Sequence, residues 1–286
     1  MTTIIANPCH ETPLSEPSGW PRKVDLFGVA VSVTSYEQAM EAVFRAVSEN
    51  RPGIVSAQAV HAIISASQDP THLQRVNTFD LVAPDGQPVR WAMNLLHGTK
   101  LSQRVYGPEL MRKICQGAEK KNVSIYLYGG SEKTIQVLQV RLLESFPDLK
   151  IAGAESPPYR ELTDHEDQAV IQRIKQSGAG IVFIGLGCPK QDIFAFDHRS
   201  SIRAVQVSVG AAFDFLAGSK EMAPLWMQRR GLEWVFRLYQ EPQRLWRRYL
   251  VTNSIYCQKL LFAFCKFSQV RKQHQQTHNL RNQNKP

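Results

Sequence analysis

The sequence predicts an α/β fold: a mostly parallel sheet with helices on both faces, followed by a helical appendage. Three observations carry this. Continuous Val/Ile-rich runs recur, among them V-S-I-Y-L-Y-G-G (123–130), G-I-V-F-I-G-L-G (180–187) and A-V-Q-V-S-V-G (204–210). The first two lack the polar alternation of a sheet with one wet face, so the runs read as strands covered on both sides. Helix-length stretches separate them, the spacing of parallel crossovers in a Rossmann-like domain. Beyond about residue 218 the strand pattern stops and arginines interleave with aromatics. The expected organisation is therefore a disordered leader over 1–22, a body over 23–218, a basic aromatic helical appendage over 219–267 and a disordered Gln/Asn/Lys-rich tail over 268–286.

Each element has a local reason. V-D-L-F-G-V-A-V-S-V (24–33) reads as a strand or hairpin. Thr34 to Glu37 fits a capping box opening a helix over Tyr36–Asn50. A strand at 53–60 leads into a helix over 61–76, and a short strand at 80–86 ends in a turn. Helices are expected at 87–97, 107–122, 131–145 and 163–177, with a strand at 149–154. In such a sheet ligands sit beyond the carboxyl ends of the strands. The turns after Ser56, Pro84, Tyr128, Ala154, Gly185 and Val209 should therefore share one rim.

Bulk composition narrows the function. The chain has 286 residues, 43% hydrophobic and 21% charged, as in a globular protein. A net charge of +9 points to an anionic partner: nucleic acid, an anionic membrane surface or a phosphorylated substrate. Cys9, Cys115, Cys188, Cys257 and Cys265 are scattered without C-x-x-C spacing, which argues against a disulfide framework and a zinc site and suits a reducing compartment. His61, His97, His165 and His198 share no ligand spacing, so no metal is expected. No apolar run approaches the ~18 residues of a membrane span.

Several rim turns offer chemistry. G-L-G-C-P-K-Q-D (185–192) combines Gly185 and Gly187, which permit close backbone approach, with Pro189 at N1 of a helix that would aim free amides at an anion. Taken alone it is a phosphate contact or plain βα packing, and Lys190 and Gln191 are polar groups on it. Asp85 in A-P-D-G-Q-P either shapes a turn or acts as a general base. Ser56 and Gln58 offer a hydroxyl and an amide, Arg104 a charge before a helix, and Tyr128-Gly129-Gly130 a second phosphate-approach turn. Arg229, Arg230 and Arg237 stand among Trp226, Trp234 and Phe236, a mixture suited to an anionic bilayer, to single-stranded nucleic acid or to a diphosphate.

Together these motifs resemble the WecG/TagA/CpsF glycosyltransferases, from about Val24 to Tyr249. The resemblance rests on ordered blocks: A-P-D-G-Q-P-V (83–89), R-V-Y-G-P-E-L (104–110), Y-L-Y-G-G (126–130), G-L-G-C-P-K-Q-D (185–192), V-G-A-A-F-D-F-L-A-G (209–218), G-L-E-W-V-F-R-L (231–238) and E-P-Q-R-L-W-R-R-Y (241–249). It implies inverting, metal-independent transfer from a UDP-sugar, with no further cofactor, to a polyprenyl-diphosphate-linked saccharide at the cytoplasmic membrane face. It also implies that Asp85 is the general base, supported by Ser56, Gln58, Arg104 and Gln191. The nucleotide would lie along the glycine turns and near Gly210 and Asp214, and the arginine-bearing appendage would close over it.

The sequence departs from that pattern at S-A-Q for T-x-N, at P-K-Q-D for P-K-Q-E, and at Met222, where an arginine is usual. S-P-P-Y-R (156–160), with Tyr159, is closer to the xanthan-type exopolysaccharide branch. The resemblance implies that the donor sugar is a hexose, an N-acetylhexosamine or its uronic acid. The expected partners are donor, lipid-linked acceptor and anionic membrane, with a homo-oligomer left open. A nucleic-acid-binding protein is the alternative, and no nucleic acid is expected. An NAD-dependent oxidoreductase is disfavoured by a missing third glycine and ribose acid.

Overall fold

The computed structural model describes the backbone of residues 19–283 and the side chains of residues 19–266. The chain runs β1 (Lys23–Leu26), β2 (Val29–Ser32), α1 (Tyr36–Ser48), β3 (Gly53–Gln58), α2 (Val60–Gln68), α3 (Pro70–Asn77), β4 (Leu81–Pro84), α4 (Gln87–His97), α5 (Gly107–Lys120) and β5 (Ile125–Gly129). It continues with α6 (Glu132–Ser145), β6 (Ile151–Glu155), α7 (Asp164–Ser177), β7 (Ile181–Gly185), α8 (Lys190–Asp197), β8 (Val205–Ser208), α9 (Ala212–Leu216), α10 (Leu225–Arg229), α11 (Glu233–Gln240) and α12 (Pro242–Gln283). β1 and β2 form an antiparallel hairpin, and the other six strands form one parallel sheet in the order β4-β3-β8-β7-β5-β6. This is the Rossmann-like architecture expected, with its C-terminal helices.

The two-residue side-chain period of a strand divides the core. Ile125 and Leu127 face one apolar cluster, built with α1, α5 and α6. Tyr126 and Tyr128 face the other, built with α2, α4 and α7. Each fully buried Val, Leu or Ile contributes about 1.5–3 kcal/mol, which is why apolar residues dominate these runs. β5 and β7 meet closely at their ends. Gly129 has φ +128°, and a Cβ there would lie 2.5 Å from the Gly185 carbonyl carbon.

The structure moves several expected boundaries. The leader was expected to reach residue 22, but Trp20 is buried and fills the space beneath Gly53. Residues 1–18 of that leader lie outside the described residues. The capping box is Ser35 with Gln38, one residue later than Thr34 with Glu37. The helix expected over 61–76 is two helices, because Asp69 accepts hydrogen bonds from the amides of Thr71 and His72 and Pro70 starts a new first turn. α12 continues to Gln283 through the stretch expected to be disordered. No Gly or Pro lies between Pro242 and Gln283, and Gln, Lys and Arg are good helix formers. Residues 284–286 lie outside the described residues.

The segment after residue 218 folds back onto the body. Leu245 and Tyr256 of α12 are buried. The Tyr256 ring meets Phe27 edge-on at 5.4 Å and its hydroxyl donates to the Pro88 carbonyl at 2.7 Å. Among the described residues no helix is long and apolar enough to cross a membrane.

Candidate active site

The parallel order puts the carboxyl ends of all six strands on one edge, as the sequence suggests. Four adjacent strands supply the polar residues: Asp85 follows β4, Gln58 ends β3, Gly210 follows β8, and Gly187 and Gln191 follow β7. The Asp85 amide donates to the Gln58 carbonyl at 3.2 Å, which ties the first two turns together.

The P-K-Q turn closes on itself. Gly187, at φ +78°, leaves open space where a side chain would stand. Its amide donates to Gln191 Oε1 at 3.2 Å. That bond fixes which end of the side-chain amide is oxygen, and the NH₂ has no partner among the described residues. The same amide lies 3.6–3.8 Å from where a Cβ of Gly210 would be. Pro189 is the N-cap of α8, not its first residue. The Gln191, Asp192 and Ile193 amides are all taken by the carbonyls of Gly187 and Pro189. The row of free amides expected there is therefore reduced to that of Lys190. The Lys190 ammonium is exposed and lies 5.9 Å from the centre of the Tyr159 ring, itself fully exposed.

Beneath the turn sits a buried polar cluster centred on Asp192. Ser56 Oγ donates to Asp192 Oδ1 at 2.8 Å, and Gln58 Nε2 donates to Asp192 Oδ2 at 2.9 Å and to Ser56 Oγ at 2.8 Å. All three residues are fully buried. Ser56 and Gln58 thus turn inward to Asp192 rather than toward the opening. Burial raises the Asp192 carboxyl, while Gln58 and Ser56 pull it back. His72 Nε2 lies 3.9 Å from Asp192 Oδ2, and burial lowers that imidazole. Ligand atoms of His72, Cys188 and Asp192 lie within 4.8 Å of one another, the one group of metal-ligating type among the described residues. Both Asp192 oxygens accept hydrogen bonds from Ser56 and Gln58, while both His72 ring nitrogens are buried without a hydrogen-bond partner among the described residues. Spacing offered no signal for His72 or Cys188 here, because distant segments bring them together.

Above the rim the appendage supplies the roof. Asp85 is half-buried, and among the described residues its Oδ2 accepts only a long 3.4 Å bond from the Gly107 amide. Burial pushes its carboxyl up to about 6 despite Arg104, with Glu233 pushing the same way. Arg104 is buried. Its Nη1 lies 2.7 Å from Glu233 Oε2, its Nη2 donates to Gln228 Oε1 at 3.1 Å, and its guanidinium sits 4.2 Å from the Tyr106 ring centre. Arg237 and Arg248 approach His61, whose imidazole is held down to about 3 by burial and by those two cations. Arg248 Nε is buried without an acceptor among the described residues. Arg229 and Arg230, expected with Arg237 as ligands, are instead exposed, Arg230 against Trp226.

Two other expected contacts are placed differently. Tyr128 is buried and stacks on Phe194 at 4.7 Å, because its strand position faces the core; Gly129 and Gly130 form the turn itself. Asp214 pairs with Lys220 at 3.0 Å, and Lys220 also reaches Glu241 at 3.5 Å, so this carboxylate joins body to appendage.

Comparison with known proteins places the chain in a family. The model of the glycosyl transferase WecG/TagA/CpsF family matches residues 24–270. An N-acetylglucosaminyldiphosphoundecaprenol N-acetyl-beta-D-mannosaminyltransferase of Bacillus subtilis (strain 168) is 29% identical over 198 residues, 69% of this chain and 75% of the relative. Proteins of the same name from Bacillus spizizenii (28% identical; 76% of this chain, 82% of the relative) and Staphylococcus aureus strain MW2 (27%; 79% and 87%) are similar. The chain belongs to the WecG/TagA/CpsF family of glycosyltransferases.

Proposed function

We propose that the protein moves a hexose, an N-acetylhexosamine or its uronic acid from a UDP-sugar to a polyprenyl-diphosphate-linked saccharide, with inversion and without a metal. The observation that carries this is Asp85: a rim carboxylate with little hydrogen bonding, raised toward neutrality and roofed by arginines. Relatives named for a diphosphoundecaprenol-linked N-acetylglucosamine substrate support the acceptor class.

In this scheme Asp85 takes the proton of the acceptor hydroxyl. The hydroxyl oxygen forms the new bond to the anomeric carbon as the bond to the donor phosphate breaks, and UDP leaves with that electron pair. Arg237 and Arg248 neutralise the departing diphosphate, which would supply the missing acceptor for Arg248 Nε. The Gln191 NH₂ and the Lys190 amide are further donors, on the P-K-Q turn. Ser56 and Gln58 act through Asp192, holding the turn that bears Gln191. Leu225, Trp226, Tyr239 and Trp246 are exposed, as are Arg229 and Arg230, a mixture suited to the headgroup layer of an anionic bilayer. The protein would thus work as a peripheral enzyme on the inner face of the cytoplasmic membrane.

The test is UDP release by the full-length protein on N-acetylglucosaminyl-diphosphoundecaprenol in anionic vesicles, across UDP-glucose, UDP-N-acetylmannosamine and its uronic acid. Acceptor-dependent release with one donor is expected. Release with none, alongside salt-sensitive RNA binding, would favour the nucleic-acid reading.

A further inference from the structure

Arg104 and Asp85 are close enough to shift each other's protonation, yet among the described residues they make no ion pair. A buried arginine beside a carboxylate would ordinarily form one, because either charge alone is costly in an apolar setting. Here the guanidinium is engaged elsewhere. Glu233 takes Nη1, Gln228 takes Nη2 and the Tyr106 ring lies against its face. Glu233 and Gln228 both belong to the appendage, while Arg104, Tyr106 and Asp85 belong to the body. The Glu233 side chain is 13% exposed and the Arg104 side chain 10%, so solvent weakens the pair little.

We propose that Glu233 is a positioning residue for sugar transfer: it anchors Arg104 away from Asp85, so that the base stays free only while the appendage is docked. This rests on Asp85 being the base. A base pinned by Arg104 would be a weaker proton acceptor and sterically occupied. With Glu233 in place, the appendage contributes a carboxylate as well as its arginines. A body without a seated appendage would then hold an Asp85–Arg104 pair and idle, protecting UDP-sugar from futile hydrolysis away from acceptor.

The groups that face Asp85 are few. Arg104, Tyr106 and the Gly107 amide come from the segment entering α5, Glu233 and Arg237 from α11, and Tyr36 from α1. Tyr36 and Tyr106 are pushed up by burial and stay neutral across the relevant range. Removing the Glu233 charge therefore leaves Arg104 and Arg237 unopposed. Both act downward on Asp85.

The experiment is the pH dependence of kcat/KM for the full-length protein on vesicle-borne acceptor, with folding checked by thermal melting. The parent should lose activity as pH falls through about 6. In Glu233→Gln that limb should move down by about one pH unit or more, with plateau activity lowered about tenfold. Glu233→Asp should place it in between. An unmoved limb in a folded Glu233→Gln protein overturns the proposal. Should that variant fail to fold, an unmoved limb in Glu233→Asp with reduced kcat overturns it equally. An acid limb that persists in the residual activity of Asp85→Asn would instead remove the base assignment.

Discussion

Asp85 and Asp192 stand at the same rim, and burial raises both carboxyls. Their surroundings divide their roles. Asp192 is fully buried, with each oxygen accepting a short hydrogen bond from Ser56 or Gln58. Asp85 is half-buried and accepts one long bond from a backbone amide. A fully buried carboxylate with both oxygens held by neighbouring side chains is closed to a substrate proton. A half-buried one with a single long bond is open to it, and its elevated proton affinity suits a base working near neutrality. Burial alone thus does not mark a catalytic acid or base; what distinguishes them is how much hydrogen-bonding capacity remains.

The largest effect that can break this comparison is Asp85→Asn. Transfer should fall by about 10²–10⁴-fold, the usual worth of a positioned base, while the dissociation constant for UDP changes little. Near-normal turnover would show that the half-buried carboxylate is not the base. Next comes Asp192→Leu. It leaves Ser56 and Gln58 without their shared acceptor, and should cost about 3 kcal/mol in chemical denaturation. A variant of parental stability but without transfer would mean that Asp192 touches substrate after all.

A pH effect on stability sharpens the contrast. Asp85 titrates near 6 in the fold against an ordinary 3.8. Its folded form therefore binds the proton more tightly than the unfolded chain does. Stability contributed this way is full below about 4 and is lost as pH rises through about 6. Asp85→Asn should flatten the dependence of unfolding free energy on pH across that window. An unchanged slope would assign it to other groups. The smallest effect is expected of Ser56→Ala, which removes one donor to Asp192 and should cost about 1–2 kcal/mol, with transfer reduced only a few-fold. Loss of transfer at unchanged stability would return Ser56 to direct contact with substrate.

Much of this was legible beforehand for physical reasons. Strands buried on both faces leave continuous Val/Ile runs, so the sheet and its rim follow from pattern alone. Asp85 and Arg104 lie in short turns, and Gln191 at the start of α8, where local spelling marks them. The rest depends on contacts that no window can contain. Arg104 meets Gln228 across 124 positions, and Ser56 meets Asp192 across 136. Spelling also misleads where geometry decides. Tyr-Gly-Gly reads as a binding turn, yet the two-residue period of β5 sends Tyr128 inward onto Phe194. Arg229, Arg230 and Arg237 look alike in sequence. Only the fold separates the exposed pair from Arg237, which joins Arg248 beside His61.

The Asp214–Lys220–Glu241 bridge has a practical side. Its side chains are 25–30% exposed, so dissolved ions reach them and weaken their attraction. Those same ions weaken adhesion of the surface arginines to an anionic bilayer. Ionic strength would then act on two couplings together, one within the chain and one between chain and lipid. A titration with sodium chloride on vesicles would report their sum. Repeating it on a short-chain, water-soluble acceptor would isolate the internal joint.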